Sequence, residues 1–165
     1  MKGNNIGSTY RGLVIALLLA TTMISVSAQD SHPNLKNTSI TIGLLQGGGA
    51  LIGMDFEKMI KQQWSLQTGF GAIGFGAGLN YHLKPQINSN FVSIQLWNQG
   101  LLGDDLSQRI VGITYSFRGE SSGVTGQIGL GYTIKRSEAL TQYLEAYGID
   151  NIPPVTLIYS MGWWF

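Results

Sequence analysis

Between Val155 and Phe165 the apolar side chains take every second position, as Val155, Leu157, Tyr159, Met161, Trp163 and Phe165, with Thr156, Ile158, Ser160, Gly162 and Trp164 between them. A period of two is the geometry of a β-strand, whose successive side chains point to opposite faces. The same alternation sets Val124, Ile128, Leu130, Tyr132 and Ile134 against Thr125, Gln127, Gly129, Gly131, Thr133 and Lys135. It recurs with Val111, Ile113, Tyr115 and Phe117 against Gly112, Thr114, Ser116 and Arg118. A fourth segment places Ile73, Phe75, Ala77, Leu79, Tyr81 and Leu83 opposite Gly74, Gly76, Gly78, Asn80 and His82. Weaker versions over 91–98, 64–72, 50–58 and 39–45 bring the expected strands to eight, an even number as in bacterial single-chain membrane barrels. Helical periodicity is confined to 137–147. Two points stay open. The even-numbered apolar phase runs unbroken from Ile40 to Phe56, so Gly47, Gly48 and Gly49 form either a turn or a flexible point in one long strand. Between Ala72 and Ile73 the phase switches, which a turn or a β-bulge explains equally well.

An apolar face repeated on every strand must meet either a protein core or lipid. Only 12% of the residues are charged, and the alternate face offers mostly Gly, Ser, Thr, Asn and Gln. As the outside of a soluble barrel that face would be poorly solvated. As the lining of a narrow barrel whose apolar face points to lipid it fits, and closure satisfies every backbone N–H and C=O in hydrocarbon. The expectation is therefore an all-β, antiparallel transmembrane β-barrel of eight strands over 39–165. If Phe165 lies on the periplasmic side, the connections 84–89 and 119–122 become short periplasmic turns, and 99–107 and 136–153 become longer external loops. The same orientation gathers Phe56, Trp64, Tyr81, Phe91, Phe117, Trp163 and Phe165 at the periplasmic boundary as an aromatic girdle.

The address comes from the first residues. Lys2 and Arg11 precede an apolar run from Leu13 to Ile24, and Val26, Ser27 and Ala28 supply small residues before Gln29. This pattern predicts a signal peptide over 1–28, cleaved between Ala28 and Gln29, and a short segment 29–38 before the barrel; the run is short of the about 20 apolar residues of a spanning helix, the alternative being an uncleaved anchor. Removing Lys2 and Arg11 takes ten basic residues to eight against nine acidic ones, so the mature chain is near neutral and carries no footprint for nucleic acid. There are no cysteines, hence no disulfide framework, thiol nucleophile or lipidated cysteine. The expected location is the outer membrane of a Gram-negative bacterium.

The final stretch from Val155 to Phe165 resembles the last strand of bacterial outer-membrane proteins. That resemblance implies that Tyr159, Met161, Trp163 and Phe165 form the signal read by the barrel-assembly machinery, and that outer-membrane lipids surround the chain. In size the chain resembles the small eight-stranded OmpA/OmpX type. The stretches Gly49 to Asp55 and Gly76 to Leu83 are similar to uncharacterised outer-membrane β-barrel proteins of Bacteroidetes-type bacteria. The resemblance implies a fold and a place, and no activity.

Inward positions carry Asp55, Glu57, His82, Gln95, Gln127, Lys135 and Arg109 or Arg118. Charges in a narrow lumen must pair or reach water, so Asp55 and Glu57 are expected to meet Arg118 or another cation. Such a polar network serves as a path for ions or protons, a gate, or a plug of salt bridges; eight strands leave room for little besides side chains. His82 is the best isolated catalytic candidate, because some small outer-membrane barrels deacylate lipid A with His, Ser and an acid. The serine expected two positions beyond the histidine is replaced by Lys84, followed by Pro85, which favours a hydrogen-bonding role. His32 has no ligand cluster near it in sequence and suggests no metal site, and no cofactor is implied. The glycine pairs around Phe70 and Phe75 lack the strand-to-helix setting and the lysine of a nucleotide loop, and fit instead a crowded or curved barrel wall. The loop 136–153, with Tyr143, Glu145, Tyr147 and Asp150, is either a solvated loop or a site for an extracellular ligand. The favoured function is a structural or binding barrel without catalysis, the alternatives being a lipid-modifying enzyme and a narrow porin-like pore.

Overall fold

The computed structural model describes residues 37–49, 51–100, 106–119, 123–149 and 151–165. The segment expected to be a signal peptide, with Ala28 and Gln29, lies outside the described residues together with His32, as does Asp150. Eight strands follow one another as β1 (Thr38–Leu44), β2 (Ile52–Lys61), β3 (Trp64–Gly71), β4 (Gly74–His82), β5 (Phe91–Gly100), β6 (Ser107–Arg118), β7 (Val124–Arg136) and β8 (Val155–Trp164). Each pairs antiparallel with the next, and β1 pairs with β8 to close the barrel. The seam matches Thr41 with Trp164 and Leu44 with Met161, and Phe165 extends it by exchanging backbone hydrogen bonds with Ile40 at 2.8 and 3.3 Å. Closure leaves no strand edge unpaired.

The two ambiguous points resolve into turns. Residues 45–51 connect β1 and β2, and 72–73 form a tight connection between β3 and β4. The β2–β3, β4–β5 and β6–β7 junctions lie at the barrel end that carries Phe165; the β1–β2, β3–β4, β5–β6 and β7–β8 junctions lie at the other. The last of these holds a helix, α1 (Glu138–Ala146), over most of the stretch where the sequence is helix-periodic. Ser137 caps it, its hydroxyl accepting from Leu140 N–H at 3.2 Å, and Gly148 follows its end with φ of 74°.

The two faces are sorted as the alternation requires, and in the reverse sense to a water-soluble protein. Outward apolar side chains stay exposed, among them Leu130 at 61% and Ile113 at 60%, while Ser65, Asn80, His82, Ser93 and Thr114 are buried inside. Aromatic side chains ring the outside of the Phe165 end. Trp64 and Tyr81 meet there edge to face at 5.1 Å, with Phe117, Trp163 and Phe165 also outward and exposed. Phe91 does not belong to this ring. It is out of phase with Val92, Ile94 and Leu96, points into the lumen, and is 3% exposed.

The lumen is filled. Trp97 and Ile110, direct partners across β5 and β6, are buried in it, and Ile158 joins them over the bare inward backbone of Gly112 and Gly131. The segment around Gly47 to Gly49 folds into the barrel mouth at the same end rather than out from it. Gln46, Gly47 and Gly48 are buried, and Gly48 lies against the inward glycines Gly74 and Gly76 of β4. Gly47, with φ of 64°, sits where a side chain would strike the Phe70 carbonyl. Only glycine tolerates both that backbone conformation and that approach.

Candidate functional site

Three of the charged candidates, Glu57, His82 and Arg118, converge at the Phe165 end of the lumen. Glu57 enters from the middle of β2, in phase with Gly53 and Asp55 and opposite to the exposed Met54. Glu57 is 1% exposed, and its carboxylate collects donors from four other strands. One oxygen accepts from Asn80 Nδ2 at 2.7 Å, from His82 Nε2 at 2.8 Å and from the Ser65 hydroxyl. The second accepts from Arg118 Nη2 at 2.5 Å and from Ser39 Oγ at 3.2 Å. A single carboxylate thereby ties β2 to β1, β3, β4 and β6. Arg118 also donates to the Ile87 carbonyl, which pulls the 83–90 connection inward, and its guanidinium lies over the rings of Phe91 at 4.8 Å and Trp164 at 5.6 Å. Buried charge is tolerated when it is paired and hydrogen-bonded in this way, and the knot leaves only Arg118 Nε and Asn80 Oδ1 of its described atoms buried without a partner.

Ser89, His82 and Glu57 stand in the order of a hydrolytic triad: Ser89 Oγ is 3.2 Å from His82 Nδ1, and His82 Nε2 reaches Glu57. Such an order activates a serine only if the hydroxyl faces a site where a substrate can sit. Here His82 is fully buried and Ser89 nearly so. The Ser89 hydroxyl is held within its own turn, 3.0 Å from the Lys84 carbonyl and 3.2 Å from that of Asn90. Glu57 is shared with Arg118, Ser65 and Asn80 instead of being dedicated to the imidazole. The arrangement fixes a turn to a barrel wall.

Not all the expected members are in this cluster. Asp55 faces the lumen but reaches the glycine segment, its Oδ2 accepting from Gly47 N–H at 3.4 Å, and makes no ion pair with Arg118. Gln95 and Gln127 belong to a separate chain of neutral groups in mid-lumen. Gln95 donates to Ser93, which bonds Thr114 at 2.7 Å; Gln127 donates to Thr114 and accepts from Ser160. Lys135 is a correction: it is exposed on the outside of the barrel. The register of β6 and β7 shifts between Arg109 and Ile110, so Ile134 is an extra residue and Lys135 pairs with Arg109 on the outer face. A bulge of this kind re-aims every side chain beyond it. Among the inward residues not singled out from sequence, Ser39 and Ser65 are in phase with their neighbours in the lumen and could have been found by alternation; Ser89 lies in a turn and could not. Tyr159, Met161, Trp163 and Phe165, the residues expected to form an assembly signal, all point outward and are exposed.

Chemically the lumen is a stack of closed contacts: an ionic knot, a neutral hydrogen-bonded layer, and an apolar layer under the glycine segment. A cavity of about 170 Å³ bordered by Gly49, Trp97, Gln99 and Ile110 has room for a few waters at about 30 Å³ each. Among the described residues no group of three or more His, Asp or Glu could hold a metal ion. Comparison with protein-family models, with curated proteins and with solved structures finds no match to this chain.

Proposed function

We propose that this protein is an integral outer-membrane β-barrel of a Gram-negative bacterium, exported with cleavage between Ala28 and Gln29, that serves a structural or binding role and neither catalyses a reaction nor conducts. The observation that carries the reading is the inverted barrel: apolar side chains exposed around the outside, with Glu57, His82 and Arg118 buried within. A contiguous apolar surface on this scale is covered in a stable protein, and a closed barrel with an aromatic girdle suits lipid as the cover. The filled lumen argues against a pore, and the engaged Ser89 hydroxyl argues against hydrolysis.

The location is tested by fractionation and N-terminal sequencing of the mature chain. Recovery of intact protein from the cytoplasm or inner membrane would sink it. Insertion is tested by heat-modifiable gel mobility: deletion of Phe165, or a charged residue in its place, should impair assembly, because it removes both a girdle aromatic and the last backbone pair of the seam. Lipid A mass spectra with and without the protein, and conductance in planar bilayers, are expected to show no difference. A mass change abolished by His82→Ala would establish an enzyme instead.

A further inference from the structure

Arg109 and Lys135 face each other directly across β6 and β7 on the outer surface, at the barrel end opposite Phe165. Like charges in that position repel, and the arrangement exists only because the bulge at Ile134 turns Lys135 outward. Neither forms an ion pair among the described residues; Arg109 Nε has one long contact to Asn98 Oδ1 at 3.4 Å. Arg136 and the start of α1 complete an open cleft of about 670 Å³, in which Glu138 is the single acidic lining residue against three cations.

A second feature lies immediately beside it. Two residues along β6 from Arg109 begins an outward groove of about 800 Å³ over β6 and β7, lined by Val111, Ile113, Ile128, Leu130 and Tyr132. The small residues Gly129 and Gly131 form part of its lining. A cationic pair at the head of an apolar groove is complementary to one molecule that carries an anion at the end of a hydrocarbon chain. We propose that the outer face of β6 and β7 binds a phosphorylated acyl lipid, with its phosphate between Arg109 and Lys135 and an acyl chain along the groove past Ile113 and Leu130. The site rests on the outer-membrane reading, which puts this barrel end at the outer leaflet, where the phosphates of lipid A lie. The phosphate neutralises the repulsion and gives the bulge its use.

The full chain is folded from urea into phosphatidylcholine vesicles, alone or with a minor fraction of diphosphorylated lipid A, and lipid retention is read by native mass spectrometry. Controls use dephosphorylated lipid A and inorganic phosphate in the buffer. Arg109→Gln with Lys135→Gln should weaken retention of the phosphorylated lipid by about 25-fold, from roughly fivefold per cation near an anionic surface. Lys135→Gln alone should raise the urea midpoint in pure phosphatidylcholine, where it relieves repulsion, and lower it when lipid A is present. Equal retention by wild type and double variant would overturn the proposal, and so would equal retention of the dephosphorylated lipid or a response to inorganic phosphate alone. Failure of the wild type to insert into either vesicle would overturn the membrane reading itself, a result distinct from insertion without retention.

Discussion

The two ends of the barrel treat charge in opposite ways. At the Phe165 end, Glu57, His82 and Arg118 are turned in and cross-tied until five strands share one carboxylate. At the other end Arg109 and Lys135 are turned out and left side by side, while the mouth is stopped by glycine backbone and by Trp97 and Ile110. The fold is the same at both ends, so the difference lies in phase. A charge on the inward phase of a narrow barrel is buried and must be compensated within the protein; one moved to the outward phase at the rim depends on what lies outside. The first arrangement supplies rigidity, and the second supplies a surface.

The comparison is broken most severely at Glu57. Glu57→Ala removes the acceptor for Arg118 and His82 and leaves buried donors and a cation without a partner, an error that costs about 3–5 kcal/mol. Unfolding in urea or guanidinium should show it. Replacing the pair together, Glu57→Leu with Arg118→Met, should recover only the part of that loss due to the stranded cation, because Ser39, Ser65, Asn80 and His82 still lose their acceptor. A double variant no better than Glu57→Ala would show that the stranded cation is not a source of the loss.

The next largest effect separates the two faces of one strand. Leu130→Arg puts a charge on the outward face of β7, where insertion into lipid costs about 2–4 kcal/mol near the midplane. Gln127→Lys lies on the inward face of the same strand, beside Thr114 and Ser160, and should cost less. Reversible folding into vesicles measures both. The lipid-outward reading fails if Gln127→Lys is the more damaging and Leu130→Arg is neutral.

How much of this was legible follows from the same rule of phase. Alternation is local, so the inward set Gly74, Gly76, Gly78, Asn80 and His82 could be read directly, as could the outward set of β8. Grouping aromatics at the boundary misplaces Phe91; its phase against Val92, Ile94 and Leu96 points it inward, and the same phase holds Trp97. Lys135 was beyond reach, because a one-residue bulge leaves no mark in the composition of β7 and reverses the face of everything after it. Glu57 and Arg118 could be paired by chemistry, but the share taken by Ser89 depends on how a turn folds back. The inward course of the glycine segment depends on glycines of β4, distant in sequence, which make room across the lumen.

Gly47→Ala tests that inward course. The added methyl meets the Phe70 carbonyl at a backbone conformation unfavourable to alanine, and strain of this kind costs on the order of 1–3 kcal/mol if the segment stays in place. If it leaves instead, residues 45–51 become a surface loop open to protease and Asp55 loses its backbone donor. Limited proteolysis of folded protein distinguishes these outcomes. A segment that remains protected at unchanged stability would mean that it is not held by the contacts described.

The smallest effect on the barrel is expected at Ser137→Ala. Ser137 Oγ accepts from Leu140 N–H, and loss of such a cap costs its helix about 1 kcal/mol. That loss should stay local, because α1 buries none of its residues and so contributes little packing to the wall beneath it. The same hydroxyl also accepts from Ser107 N–H at 3.1 Å, which ties the start of the helix to the start of β6 beside Arg109. Hydrogen exchange in 138–146 should therefore speed up by roughly fivefold, the factor equivalent to about 1 kcal/mol, while the urea midpoint of the barrel stays unchanged. A lowered midpoint would mean that the helix and the rim unfold with the strands, and that the end bearing Arg109 and Lys135 is as cooperative a part of the fold as the knot around Glu57.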